Sequence, residues 1–296
     1  MSAVRRVAAT AVTGALLLLV PAGTTAPTTM SLVAVETAQA VDFDEGVVWV
    51  LALGSDSQTG KPLEGNADAI ELIALDTRNG RAVAVGIARD TWVEPAGEEP
   101  RKLGETLRLG GPELVATEVS ELTGVTPQYV FTTVPAGFQA MVDSIGVLEV
   151  QSDVAFTDPE YELDVHEGPN QMDGREATGF ARTRSQLLND FVRQANQQHL
   201  LQAILRQLRT HQDEEGFLEA GALATLTHLE TDLSPSDLYR FAQAVTLIDP
   251  QTTETCVIGG TDDIIGDQQV IRLDTAQATR VAADAGDDGT LQGGCG

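Results

Sequence analysis

Basic residues are scarce in this chain. Its 296 residues include 18 lysines and arginines against 44 aspartates and glutamates, which gives a formal net charge of -26 at pH 7. Nucleic-acid binding depends on a basic face that neutralises phosphates. The composition therefore argues against nucleic acid as a partner, and any local cluster of arginines gains weight as a candidate site.

Long apolar runs are absent except near the N-terminus. Arg5-Arg6 precede an apolar run over 7–20, and a Thr/Ala/Pro-rich tract then leads to Ala38-Gln39-Ala40, an A-x-A cleavage pattern. We therefore predict that residues 1–40 are an export signal and that Val41 starts the mature chain. An uncleaved signal anchor is the alternative, because the run is near the short limit of roughly 20 residues for spanning a bilayer. Either way, we expect the rest of the chain to be exported and to lie outside the cytoplasm.

Cysteine and histidine are also rare. The two cysteines, Cys256 and Cys295, and the four histidines show no metal-ligand spacing. Two cysteines in an exported chain can pair, so we expect a disulfide that ties down the Gly/Asp-rich tail. No G-x-S-x-G motif is present, which argues against serine-triad hydrolysis.

Strand and helix signals alternate along the rest of the chain. The apolar run 47–53 predicts a buried strand, and 69–76 and 81–87 predict two more strands joined by an Asn-Gly hairpin. Further elements are predicted as helix 112–123, strand 129–134, helix 137–145, strand 147–150, short helix 176–179, a long helix ending near Arg209, and helix 238–248. This alternation predicts one α/β domain over 41–250, an α-β-α layered domain around a mixed sheet, followed by a C-terminal extension over 251–296.

The arginines cluster in one stretch. Arg182 and Arg184 have the period-two spacing that puts both side chains on one face of an extended segment. Asp190, Arg193 and Gln197 follow at i, i+3 and i+7, which collects a carboxylate, a guanidinium and an amide on one stripe of a helix. The pattern predicts a receptor for a strongly anionic group. Taken alone, it also fits solvated charges and an ordinary helical ion pair.

Six short motifs carry a resemblance to a known family. They are Leu53-Gly-Ser-Asp-Ser57, Gly65-Asn-Ala-Asp68, Ile87-Ala-Arg-Asp90, Lys102-Leu103, Phe180-Ala-Arg-Thr-Arg-Ser185 and Asp190-Phe-Val-Arg-Gln-Ala-Asn-Gln-Gln198. In this order they resemble the LytR-CpsA-Psr family of cell-envelope proteins. Members of that family are exported α/β proteins that transfer a glycopolymer from a polyprenyl-pyrophosphate carrier to peptidoglycan or a related wall acceptor.

The resemblance implies a site that holds a pyrophosphate with arginines and Mg²⁺. Guanidinium groups bind phosphate oxygens in bidentate fashion, and carboxylates suit Mg²⁺ as an electrostatic clamp. The implied binding residues are Arg89, Lys102, Arg182, Arg184, Arg193 and Gln197, and the implied metal ligands are Asp56 and Asp68. The implied catalytic set is Arg89, Arg182, Arg184, Asp190 and Arg193, where Asp190 orients an arginine or acts as a general base.

The chain departs from the family pattern at several of these motifs. Asn66 and Asn196 stand where members usually carry arginine, and Ala88 replaces a proline. A Gly-Gly-Val-Glu-Val motif is altered at Val147 and Leu148. Two missing guanidinium groups weaken a pyrophosphate site by several kcal/mol, since each charge-assisted hydrogen bond contributes roughly 1.5 to 3 kcal/mol.

The resemblance predicts an exported transferase that moves a polyprenyl-pyrophosphate-linked glycan to a cell-wall acceptor at the membrane surface with Mg²⁺. Two alternatives stay open. One is a non-catalytic envelope protein that binds the lipid carrier or partners an active paralogue. The other is a lipid pyrophosphatase, which needs only water as the acceptor.

Overall fold

The described part of the chain is organised around a central β-sheet. The computed structural model describes residues 28–38, 46–183, 190–211, 214, 217, 229–234, 237, 240–241 and 245–296. The strands in chain order are β1 (Met30–Ala34), β2 (Val47–Ser55), β3 (Ala67–Asp76), β4 (Arg81–Gly86), β5 (Trp92–Val93), β6 (Arg101–Lys102), β7 (Tyr129–Thr133), β8 (Leu148–Ser152), β9 (Phe156–Asp158), β10 (Leu163–Val165), β11 (Gly168–Met172), β12 (Leu229–Thr231), β13 (Thr253–Val257), β14 (Gly260–Ile265) and β15 (Gln268–Leu273). Seven of them form one mixed sheet in the order β12-β1-β7-β2-β3-β4-β13.

Helices cover both faces of this sheet. The α-helices are α1 (Thr106–Thr123), α2 (Pro135–Ile145), α3 (Gly174–Arg182), α4 (Asp190–His211) and α5 (Thr275–Asp288), and short 3-10 turns occupy Pro62–Glu64, Leu103–Glu105 and Pro250–Thr252. Residues of α1 and α5 pack with Trp49, Leu51 and Leu53 on one face. On the other face, Val48 and Val50 pack with Leu205 of α4. The predicted α-β-α layering is confirmed.

The central hairpin forms where the sequence predicted it. β2 pairs antiparallel with β3 and parallel with β7, so both of its edges are hydrogen-bonded, and its apolar side chains are buried on the two faces of the sheet. β3 and β4 join through a tight turn that ends at Gly80, whose φ of 67° lies in the left-handed region that glycine tolerates. Helix α1 begins before the predicted position, at Thr106, and bends at Gly110-Gly111 just ahead of Pro112.

The sheet extends past the domain boundaries predicted at residues 41 and 250, which stay predictions. β1 lies inside the sheet between β12 and β7, and β13 extends the other edge in parallel with β4. A disulfide joins Cys256 of β13 to Cys295, and α5 packs on the same core. Cleavage after Ala40 would remove a strand of the sheet; most of the predicted signal segment, residues 1–27 and 39–40, lies outside the described residues. None of the described helices is long and apolar enough to cross a membrane.

We predict that a chain beginning at Val41 is much less stable than one beginning at Thr28. The shorter chain lacks β1, whose Met30 and Leu32 are almost completely buried. Burial of two such side chains is worth about 3 kcal/mol or more. The free energy of unfolding, measured by urea denaturation, should fall by at least that amount. Leu32→Ala in the longer chain should reproduce part of the loss, and equal stability of the two chains would contradict a structural role for β1.

Candidate functional site

A cavity lies between the sheet and helices α2, α3 and α4. Its empty space is about 920 Å³, including the open mouth. Small residues on β2 and β3 form part of its floor: Ala52, Gly54 and Ala69. A Cβ added to Gly54 would lie 3.1 Å from the Cβ of Ala69, so the floor is already closely packed at that point. Larger side chains at these positions would fill the space.

One end of the cavity is apolar. Its walls there come from β7, α2 and α4 and include Phe131, Val134, Phe138, Met141, Leu200, Leu201 and Ile204. Along α4 the lining residues recur at the spacing of one helical stripe, from Arg193 and Gln197 to the three apolar residues that follow. The same helix face therefore carries a polar end and an apolar end.

The other end of the cavity is charged. Among the described lining residues, the ionisable ones are Asp68, Glu71, Arg182 and Arg193. Arg193 is 5% exposed, so it presents its charge in surroundings of low dielectric. Arg182 is the last residue of α3. Our expectation that it lies on an extended segment is wrong, because the capping box of Asp173 and Glu176 starts a helix that runs through it.

Two of the predicted site residues are not fully described. Arg184 lies outside the described residues. Asp190 is the first residue of α4, but its side chain also lies outside them. Their predicted roles stay predictions.

A chain of ion pairs adjoins the cavity at Asp68. The Arg89 guanidinium donates through Nη1 to Oδ1 of Asp68, and its Nε lies 3.7 Å from Oδ2 of Asp90. Lys102 Nζ lies 2.9 Å from Oδ1 of Asp90. Of these ion-paired residues, Asp68 is the one that lines the cavity. Arg89 and Lys102 are thus brought next to the site as partners of carboxylates.

Asp56 organises the turn between β2 and β3. Its Oδ1 accepts a hydrogen bond from the Asn66 N–H at 2.7 Å, and its own N–H donates to the Asn66 carbonyl at 2.9 Å. A Cβ on Gly65 would come within 2.7 Å of Oδ1, so only glycine fits there. Among the described residues, no group of three or more His, Cys, Asp or Glu side chains is placed to hold a metal ion. Asp56 and Asp68 remain the predicted ligand pair.

The amide of Gln197 joins two helices. Its Nε2 donates to the Ala181 carbonyl of α3 at 3.1 Å, while the residue also lines the cavity. The next residue, Gln198, donates from Nε2 to the Cys256 carbonyl at 2.9 Å and to Oε2 of Glu71 at 3.2 Å. These bonds fix the orientation of α4 over the sheet.

The sequence analysis missed two residues of this region. Thr183, which caps the C-terminus of α3, donates its hydroxyl to the buried carboxylate of Asp158 and so holds the end of α3 against β9. Glu71 lines the cavity from the middle of β3 and is 3% exposed. Burial raises the pKa of Glu71 to about 8, although the hydrogen bond from Gln198 acts to lower it. The signal for Glu71 was an acid in the middle of a strand, between the apolar residues Ile70 and Leu72.

Comparison with known proteins agrees with this architecture. The model of the LytR_cpsA_psr family matches residues 23–285, which begins before and ends after the predicted domain. The probable cell wall biosynthesis protein LcpB of Corynebacterium glutamicum is 31% identical over 173 residues, covering 54% of this chain and 41% of LcpB. The polyisoprenyl-teichoic acid--peptidoglycan teichoic acid transferase TagU of Enterococcus faecalis is 26% identical over 196 residues, covering 65% and 64%. The chain spans about half the length of the curated relatives it matches.

A solved structure shares the fold. The LytR-CPS2A-psr family protein YwtF (TagT), with bound octaprenyl pyrophosphate lipid, superposes with a TM-score of 0.65 at 20% identity, covering 86% of this chain and 95% of that chain. With a family model that matches most of its length, this chain belongs to the LytR-CpsA-Psr family.

Proposed function

We propose that this protein binds a polyprenyl-pyrophosphate-linked glycopolymer and transfers it to a cell-wall acceptor in the envelope. The observation that carries the proposal is the cavity, which is apolar at one end and lined by two arginines at the other. An isoprenoid pyrophosphate has the same division between an apolar chain and an anionic head. The bound octaprenyl pyrophosphate of TagT and the transferase name of TagU support the proposal by relationship.

The two ends of the cavity bind the two parts of the lipid for different reasons. Burial of isoprenoid surface against Phe131, Phe138 and Met141 stabilises the complex by about 25 cal/mol per Å² removed from water. The head group is held by Arg182 and Arg193, since a guanidinium can offer two parallel N–H donors to phosphate oxygens. The buried position of Arg193 strengthens this attraction over that of a surface arginine.

Transfer exchanges one phosphorus–oxygen bond for another. An acceptor hydroxyl attacks the phosphorus on the glycan side, the bond between the two phosphates breaks, and the polyprenyl monophosphate leaves. Asp190 takes the hydroxyl proton in this scheme. Negative charge grows on the leaving phosphate, and Arg182 and Arg193 stabilise it from fixed positions. Arg184 completes the arginine set, while Arg89 holds Asp68 in place at the wall of the cavity.

The residues present fit a magnesium ion bound together with the substrate. Mg²⁺ in proteins is usually held by one or two carboxylates plus substrate phosphates and water, and Asp68 supplies a carboxylate in the wall of the cavity. Asp56, on the neighbouring turn, is the second proposed ligand. When bound, the ion would neutralise charge on the phosphates. The acceptor, the membrane surface and an active paralogue belong to the proposal as partners.

A non-catalytic binding role is the second candidate. It is favoured by Asn66 and Asn196, which stand where the family usually places arginines. Asn196 is 1% exposed, and its Nδ2 finds no hydrogen-bond partner in the described part of the chain. Product analysis separates the candidates. Glycan attached to wall material indicates a transferase, glycan phosphate released into water indicates a pyrophosphatase, and retention without either product indicates a binding protein.

We predict that Arg193→Ala weakens the binding of geranylgeranyl pyrophosphate by about 10-fold to 100-fold, because one charge-assisted hydrogen bond is worth roughly 1.5 to 3 kcal/mol. Arg182→Ala should have a similar effect, measured by isothermal titration calorimetry. The control is Arg209→Ala, which removes an exposed arginine from the far end of the same helix. Unchanged affinity in both cavity variants, with folding intact by circular dichroism, would discard the site.

We also predict that transfer depends on Mg²⁺ through Asp68. Chelation with EDTA should stop transfer of a lipid-linked glycan to wall material, and added Mg²⁺ should restore it. Asp68→Asn should raise the Mg²⁺ concentration needed for half-maximal transfer by about tenfold, since a charged ligand contributes on the order of 1.4 kcal/mol or more. Asp164→Asn, an exposed change on β10, serves as the control. Full transfer in EDTA would refute the magnesium proposal.

A further inference from the structure

Glu71 is a buried acid in the cavity wall to which the proposed transfer gives no role. It lies in the middle of β3, opposite Ala52 of β2 and Gly86 of β4. Both neighbours across the sheet are small, so the carboxyl group has room above the sheet and below α4. The side chain lines the cavity and is 3% exposed.

Neighbouring residues hydrogen-bond to the Glu71 carboxyl group and leave space for it. Oε2 accepts a hydrogen bond from Gln198 at 3.2 Å, and the same amide nitrogen is held by the Cys256 carbonyl at 2.9 Å. A Cβ on Gly86 would lie 3.0 Å from the Gln198 nitrogen and 3.1 Å from Oε1 of Glu71, so glycine makes space for the pair. Oε1 itself has no hydrogen-bond partner among the described residues.

The protonation state of Glu71 follows from this environment. A carboxylate with one amide donor is poorly compensated for the loss of water, which favours the neutral acid. Burial raises the pKa to about 8, so the group is protonated at pH 7. Because Oε2 already accepts from Gln198 and Oε1 has no donor, we assign the proton to Oε1. A buried O–H without an acceptor is complemented by a ligand oxygen.

We propose that Glu71 is a further ligand-binding residue, which donates a hydrogen bond from Oε1 to an anionic oxygen of the pyrophosphate in the cavity. This rests on the proposed function and adds a neutral donor beside Arg182 and Arg193. The other charged group in the described cavity wall is Asp68. The described residues that face Glu71 from β2, β4 and α4 include Ala52, Gly86, Gln194 and Gln198, and none of these carries a charge.

The test measures affinity for geranylgeranyl pyrophosphate against pH, between about pH 6.5 and about pH 9.5. Ionised Glu71 cannot donate and repels the phosphate, so wild-type affinity should fall by up to about tenfold per pH unit above about pH 8. Glu71→Gln keeps a neutral donor and should show a flat profile over the same range. Glu71→Met has no donor and should bind about tenfold more weakly than wild type at pH 7.

The control is Glu118→Gln. Glu118 is also a buried acid whose pKa is raised by burial, but it lies on α1, across the sheet from the cavity. This variant should keep the wild-type pH profile. If wild type binds and Glu71→Gln keeps its pH dependence, the role of Glu71 is overturned while the proposed function stands. If wild type does not bind the lipid at any pH, the role of Glu71 and the proposed function are both contradicted.

Inorganic pyrophosphate and geranylgeraniol test the head group and the isoprenoid part of the lipid separately. Pyrophosphate should show the same dependence on Glu71 as the lipid, and geranylgeraniol should show none. Dependence with the alcohol alone would overturn the assignment of the bond to a phosphate oxygen.

We predict a matching effect on stability. The folded-state pKa of Glu71 is about 8 against a usual value of 4.5, so the acid resists ionisation only in the folded chain. Folding stability should therefore fall as pH rises between these values, by about tenfold in the folding equilibrium constant per pH unit. Glu71→Gln should raise the melting temperature at about pH 8 and lose this advantage near pH 4.5. An unchanged difference across the range would show that Glu71 is not protonated in the folded protein.

Discussion

The structure depends on the way in which α4 is held above the sheet. Four glutamines on this helix donate amide hydrogen bonds to backbone carbonyls of other elements: Gln197 to Ala181, Gln198 to Cys256, Gln202 to Thr253 and Gln207 to Ile145. Such directional bonds fix both the height and the rotation of the helix. Close packing alone would press apolar side chains onto the small residues of the floor and close the space. The cavity exists because polar bonds carry part of this interface.

Because the protein as a whole is strongly negative, the arginines of the site can attract an anionic ligand only at short range. With a net charge of -26, the protein repels an anionic ligand at long range, and salt screens exposed charges beyond about 10 Å. Arg182 and Arg193 act within the cavity, where screening by salt and water is weak. In the proposed complex, apolar contact with the lipid chain and short-range contact with the head must therefore act together, which the shared stripe on α4 allows.

The sequence predicted the layers and the central hairpin because those elements carry their own local pattern. It failed where pairing partners are distant. β1 reads as part of an export tract, and its pairing with the distant strands β7 and β12 makes it a strand of the sheet. The tail looked like an extension for the same reason, although β13 and α5 complete the core. At the site, family resemblance selected Arg182 and Arg193, but spacing could not show that Arg182 ends a helix. The metal-binding role of Asp56 and the phosphate-binding role of Lys102 stay predictions. In the structure, Asp56 accepts a hydrogen bond from Asn66, and Lys102 forms an ion pair with Asp90.

The placement of Glu71 bears on the arginines that this chain lacks. A guanidinium at the position of Asn196, 1% exposed beneath α4, would add a second buried cation to a layer that already holds Arg193, and each buried charge carries a desolvation cost. A protonated carboxyl supplies a donor with a much smaller cost, because it enters the interior neutral. It also makes the donor conditional on pH, which an arginine is not. Under the proposed role of Glu71, the chain exchanges part of a permanently positive site for one whose hydrogen-bonding capacity is set by the proton on that residue.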